Sequence, residues 1–129
     1  MVVYIDSSVA LAELLGEDRA PRREFWQAAA VSSRLIEYEV WNRLQARRAA
    51  EARFAAAQSL LAGIQQFEMT RQVLARALEP WPVPLRTLDA LHLATAEYLR
   101  RRGEPIELAS YDNRLREGAR ALGIPLAAL

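Results

Sequence analysis

The sequence predicts an α/β protein, a three-layer α/β/α domain around a short, mostly parallel central sheet. Three observations carry this. The chain opens on a β-prone apolar run, Val2-Val3-Tyr4-Ile5, which stops abruptly at Asp6. Short apolar runs recur around residues 29–31, 64–69 and 106–109, and helical patterns separate them. Parallel strands need crossover connections, which those helices supply. At 129 residues and 52% hydrophobic, the chain suits one domain, 1–129, with a real core.

Taken in order, Val2–Ile5 is the first strand. A helix over 7–15 follows, with Val9, Leu11, Leu14 and Leu15 as its apolar stripe, Ser7 or Ser8 as its cap and Gly16 as its stop. Asp18 is placed to cap a short second helix, with Pro21 in its first turn and Phe25 and Trp26 on one face. Residues 29–31 form a strand, and Ser32 or Ser33 caps a helix running to about Ala49. Residues 51–62 are a further helix ending at Gly63, and 64–69 alternate as a strand would.

Thr70 caps the next helix, and Pro80, Pro82 and Pro84 force a non-helical crossing. Thr87 is the expected cap of a helix over 88–102, ending at Gly103. Residues 106–109 are a strand, 113–122 a helix, and 125–129 a candidate last strand.

Composition excludes several classes. Without cysteine there are no disulfides, thiolate zinc sites or cysteine nucleophiles, and a reducing cytoplasm is the expected setting. No run approaches the roughly 18 apolar residues of a membrane span, and the N-terminus lacks signal-peptide features. A net charge of +1 does not announce a nucleic-acid binder. All 17 basic residues are Arg; genome composition is the plainer explanation, bidentate phosphate recognition the functional one.

Four carboxylates fall where a parallel sheet would gather them. Asp6 ends the first strand, Asp112 follows the strand 106–109, Asp89 lies in the first turn of its helix, and Glu39 lies about two turns into the helix after residue 31. Singly, each has an ordinary reading: a helix-dipole partner, a turn residue, a solvated helix position. Together they would repel and raise one another's pKa, a conflict that a hard divalent cation removes. Such a cluster suits metal-assisted attack on phosphate.

Ser7 or Ser8, at a helix start, could hold a metal-bound water or a phosphate, or simply cap the helix. His92, the only histidine, lies three residues after Asp89 between Leu91 and Leu93; it reads as a packed, hydrogen-bonded structural residue rather than as the base of a Ser–His–Asp hydrolase. Arg43, Arg47, Arg86, Arg114 and Arg116 recur beside the acidic positions as candidate phosphate contacts, whereas Arg100, Arg101 and Arg102 read as a solvated helix end.

These residues resemble the PIN domain, and in particular the VapC toxins of bacterial toxin–antitoxin pairs. The resemblance rests on the opening Val-Val-Tyr-Ile-Asp-Ser-Ser-Val-Ala-Leu, on Ser33-Arg34-Leu35 leading to Glu39-Val40, on Leu85-Arg86-Thr87-Leu88-Asp89-Ala90-Leu91-His92-Leu93-Ala94, and on Ser110-Tyr111-Asp112-Asn113-Arg114-Leu115. Ser7 and Ser110 stand where Thr is more usual, and both keep the hydroxyl.

The resemblance implies a Mg²⁺- or Mn²⁺-dependent endoribonuclease with Asp6, Glu39, Asp89 and Asp112 as its acids, Asp112 acting on a second metal or through water. It also implies homodimers and neutralisation by a VapB-type antitoxin seated near Phe25 and Trp26. Two other classes compete. One is a catalytically inactive PIN-fold module that binds RNA or protein. The other is an aspartyl-phosphate enzyme, which would need a second Asp where Ser8 stands, and a lysine the chain lacks.

Overall fold

The computed structural model describes all 129 residues. Four strands, β1 (Val2–Ile5), β2 (Ala29–Ser33), β3 (Ile64–Phe67) and β4 (Ile106–Ala109), form one sheet in the order β3-β2-β1-β4, with every pairing parallel. The helices are α1 (Ser7–Leu14), α2 (Leu35–Ala46), α3 (Phe54–Ala62), α4 (Arg71–Ala77), α5 (Thr87–Arg101) and α6 (Asn113–Ala121).

The pleat explains the layers. Val3 and Ile5 face one side of the sheet and pack with Val9, Leu11 and Leu14 of α1, Ile36, Val40 and Leu44 of α2, and Ala57 and Leu61 of α3. Tyr4 faces the other side, with Leu93, Ala96 and Leu99 of α5 and Leu115 and Ala119 of α6. A strand covered on both faces reads as an unbroken apolar run, as Val2–Ile5 does.

Five expectations need correction. Asp6, not Ser7 or Ser8, caps α1, accepting from the Val9 N–H at 3.4 Å. Asp18 caps nothing; residues Arg23–Gln27 form a 3-10 turn without a side-chain cap. The helix expected to reach Ala49 stops at Ala46, because Arg48 turns left-handed (φ 55°) and the Ala49 N–H returns to the Leu44 carbonyl. Arg86, not Thr87, stands at the N-cap of α5 and makes no side-chain cap; its N–H is taken by Asp89, and Thr87 is the first helical residue. Residues 125–129 contribute only one bridge, Leu126 to Leu108.

The topology positions the site. From β1 the chain moves outward to β2 and β3, then returns to β4 on β1's other side. The connections therefore reverse direction at β1, and in open α/β sheets the crevice at that reversal, beyond the carboxyl ends of the strands, is where ligands bind.

Candidate functional site

All four expected carboxylates line one cavity of about 680 Å³ at that crevice. Asp6 arrives from the end of β1, Asp112 from the loop after β4, Glu39 from α2 and Asp89 from the first turn of α5. Ser7, Arg19, Arg43, Arg47, Arg86 and His92 complete much of its polar lining.

Asp6 is only 5% exposed and is held from both sides. The Ser8 hydroxyl donates to Oδ1 at 2.6 Å, and the Ser110 hydroxyl donates to Oδ2 at 2.7 Å. Those hydroxyls accept in turn, Ser8 from the Tyr111 N–H and Ser110 from the Asp112 N–H, each at 2.9 Å. The ends of β1 and β4 are thereby stitched together through one carboxylate. Burial pushes the Asp6 carboxyl above its ordinary range, and the two serine hydrogen bonds and the charge of His92 offset only part of that. Ser8 is held in this clamp while still lining the cavity, and Ser7, the other serine expected to meet a phosphate or a metal-bound water, stands half-buried on the cavity wall.

Glu39 is joined to His92, whose Nε2 lies 2.5 Å from Oε1. His92 is buried, and its Nδ1 lies 2.8 Å from the hydroxyl of Tyr4. Tyr4 also accepts the Ser33 backbone N–H at 3.2 Å. Burial would lower the His92 pKa; the hydrogen bond and charge of Glu39, with the charges of Asp6 and Asp89, outweigh it and raise it. The expectation of a packed, hydrogen-bonded histidine holds, but its partner is one of the site's own acids.

Asp89 and Asp112 each spend one oxygen on a helix start. Asp89 Oδ2 accepts from the Arg86 N–H at 3.3 Å, and Asp112 Oδ1 accepts from the Arg114 and Leu115 N–H groups. Burial pushes the Asp89 carboxyl up, and the neighbouring Asp112 charge adds to it. The Asp112 charge thus acts on Asp89, one of the pairings expected from their joint placement.

The donors available to an ion are carboxylate oxygens, a set that suits a hard divalent cation. No three acidic or imidazole side chains stand gathered around a single point as a ready ligand cage. A bound ion would need some of these carboxylates to draw toward it.

The basic residues divide. Arg43, Arg47 and Arg86 line the cavity, are exposed and take no carboxylate partner. Arg116 instead donates to the Ser110 carbonyl at 3.1 Å, and Arg114 contributes its charge beside Asp89. Arg100, Arg101 and Arg102 satisfy the Leu122 carbonyl, Glu97 and Tyr98, as a helix end would. Sequence reasoning gave no site role to Tyr4 or Arg19, and noted the Ser110 hydroxyl only as part of a motif, without its partner. Tyr4 looked like any aromatic in a buried strand, Ser110 like a turn residue, and Arg19 lies outside every acidic motif.

Comparison with known proteins agrees with this fold. The PIN domain family matches residues 3–121. Ribonuclease VapC46 of Mycobacterium tuberculosis (strain H37Rv) is 37% identical over 130 residues, covering 98% of this chain and 96% of that one. Ribonuclease VapC47 of M. tuberculosis (strain CDC 1551 / Oshkosh) is 31% identical over 133 residues, with the same coverage of 98% and 96%. Among solved structures, a toxin–antitoxin complex from Klebsiella pneumoniae aligns with a TM-score of 0.65 at 17% identity, over 92% of this chain and 93% of that one, a likeness of fold. The chain belongs to the PIN domain family, as a homologue of the ribonucleases named VapC.

Proposed function

We propose that this protein is the toxin of a type II toxin–antitoxin pair, a Mg²⁺- or Mn²⁺-dependent endoribonuclease that cuts RNA phosphodiester bonds and is neutralised by a VapB-type antitoxin. The observation that carries the reading is the convergence of Asp6, Glu39, Asp89 and Asp112, from four separate segments, on one cavity at the reversal point of the sheet. The names of the relatives support the reaction class.

Asp6, Glu39 and Asp89 would hold the ion, with Asp112 as the fourth acid. When bound, the ion lowers the pKa of an attacking water and neutralises charge on the cleaved phosphate. The chain's own residues do the rest. Ser8 and Ser110 keep the Asp6 carboxylate in place. Arg43, Arg47 and Arg86 meet the backbone phosphates on either side of the scissile bond, and Ser7 meets a phosphate or a water at the start of α1.

The partner surfaces follow the same reading. Phe25 and Trp26 stack edge to face at 5.0 Å, and Trp26 lines a second cavity of about 550 Å³ with Leu14 and Leu60, a seat for the antitoxin. The exposed Leu74 of α4, Leu78 at its C-cap and Leu88 of α5 offer apolar surface for a homodimer. No helix is long and apolar enough to cross a membrane, and the cytoplasm is the compartment proposed.

The test is cleavage-site mapping on total RNA with Mg²⁺ or Mn²⁺, with a chelator, and with Asp89→Asn. Discrete cuts that vanish under chelator and in the variant are expected. RNA binding without cuts under any condition would leave the inactive binding module as the better reading.

A further inference from the structure

We propose that His92 is the positioning residue of Glu39: it anchors one oxygen of that carboxylate to the buried sheet through Tyr4, leaving the other oxygen for the metal. This rests on reading the acids as a metal site. The geometry is a chain of four segments. The Ser33 N–H at the end of β2 donates to the Tyr4 hydroxyl on β1, that hydroxyl meets Nδ1 of His92 on α5, and Nε2 of His92 meets Oε1 of Glu39 on α2.

The roles are fixed by elementary chemistry. A carboxylate can only accept, so Nε2 carries a proton toward Glu39 whether the ring is neutral or charged. In the neutral ring Nδ1 accepts, and the Tyr4 O–H, already accepting from Ser33, is its donor.

A histidine serving only the core could satisfy Nε2 on any nearby carbonyl. Here a ring only 2% exposed reaches a carboxylate that lines the cavity. Its other nitrogen is tied to the tyrosine that sits fully buried against α5. Glu39 Oε2 makes no hydrogen bond to the protein and is the oxygen left for an ion. A free glutamate on α2 would lose side-chain freedom each time it ligated; the anchor removes that loss beforehand. Outer partners that orient metal ligands in this way typically change metal affinity by about 10–100-fold when removed.

The experiment is titration of the metal-free protein with Mn²⁺, followed by the electron paramagnetic resonance signal of the free ion, with thermal melts as the folding control. His92→Leu is expected to weaken Mn²⁺ binding by about 10–100-fold, whereas His92→Gln, whose amide can donate from a similar place, stays within about threefold of wild type. Tyr4→Phe is expected to weaken binding at least about threefold, through the loosened ring. A folded His92→Leu that binds as wild type does, or a His92→Gln no better than His92→Leu, overturns the proposal. If His92→Leu loses its cooperative melt, Tyr4→Phe decides, and wild-type affinity there overturns it. A folded wild-type protein that binds no Mn²⁺ would overturn the metal-site reading itself, a result distinct from equal binding by wild type and variants.

Discussion

At the scale of single residues, the site keeps two of its carboxylates, Asp6 and Asp89, where they are costly when charged. Asp6 depends on two hydroxyls, and Ser110 serves both that carboxylate and the Asp112 N–H. Ser110→Ala should therefore destabilise the fold by about 1–3 kcal/mol in urea unfolding and also reduce cleavage, since hydrogen bonds to charged groups are worth that much. Titration gives a second expectation. The native pKa values of Asp6, Asp89 and His92 are all raised, so the native state holds more protons than the unfolded one over the ranges between each pair of values. A raised native pKa gives stability that is complete below the unfolded value and fades as pH climbs through the native one. The metal-free protein should thus melt at a higher temperature at pH 5.5 than at pH 8, and saturating Mn²⁺ at pH 8 should recover much of the difference. A melting temperature that falls on acidification over that range would contradict this. The acids were legible in the sequence because each interrupts or follows an apolar run. Their hydrogen-bond partners were not, because Tyr4 and Ser110 are separated from His92 and Asp6 by 88 and 104 positions.

At the scale of elements, helices aim the side chains, and their packing keeps the aim. Helix α5 carries Asp89 and His92 three apart, hence on one face. Its approach to α6 depends on Gly118, where a Cβ would overlap Leu93 Cδ1 and sit 3.3 Å from Leu85 Cδ2. Leu93 is fully buried and has little room to retreat. Gly118→Val should cost about 1–3 kcal/mol through overpacking, read by urea unfolding. Helix α2 carries Glu39 and Arg43 into the cavity, and Arg47, at its C-cap, lines the same cavity. If the two arginines meet phosphates, the Arg43→Ala/Arg47→Ala pair should flatten the salt dependence of single-stranded RNA affinity by about 1.4 in log–log slope; an unchanged slope rejects that role. Strand and helix order was legible from apolar periodicity. The ends were less so, because the stop of α2 is set by a left-handed Arg48 where sequence reasoning looks for glycine.

At the scale of the whole molecule, the parallel sheet brings together what the sequence keeps apart. The order β3-β2-β1-β4 sets the ends of β1 and β4 side by side, so Asp6 and Asp112, more than a hundred residues apart in sequence, line one cavity. The sequence foretold a parallel sheet from helices between strands, but strand order lies in pairings no local pattern encodes. The central claim is that this arrangement builds an acidic basin whose charge a divalent cation balances. The most direct test is a crystal grown with Mn²⁺ and measured for anomalous scattering at the manganese edge. The account expects an anomalous peak enclosed by Asp6, Glu39 and Asp89, absent in Asp89→Asn. A well-ordered structure at saturating Mn²⁺ with no peak in that basin, or with those carboxylates turned away from one another, would contradict it.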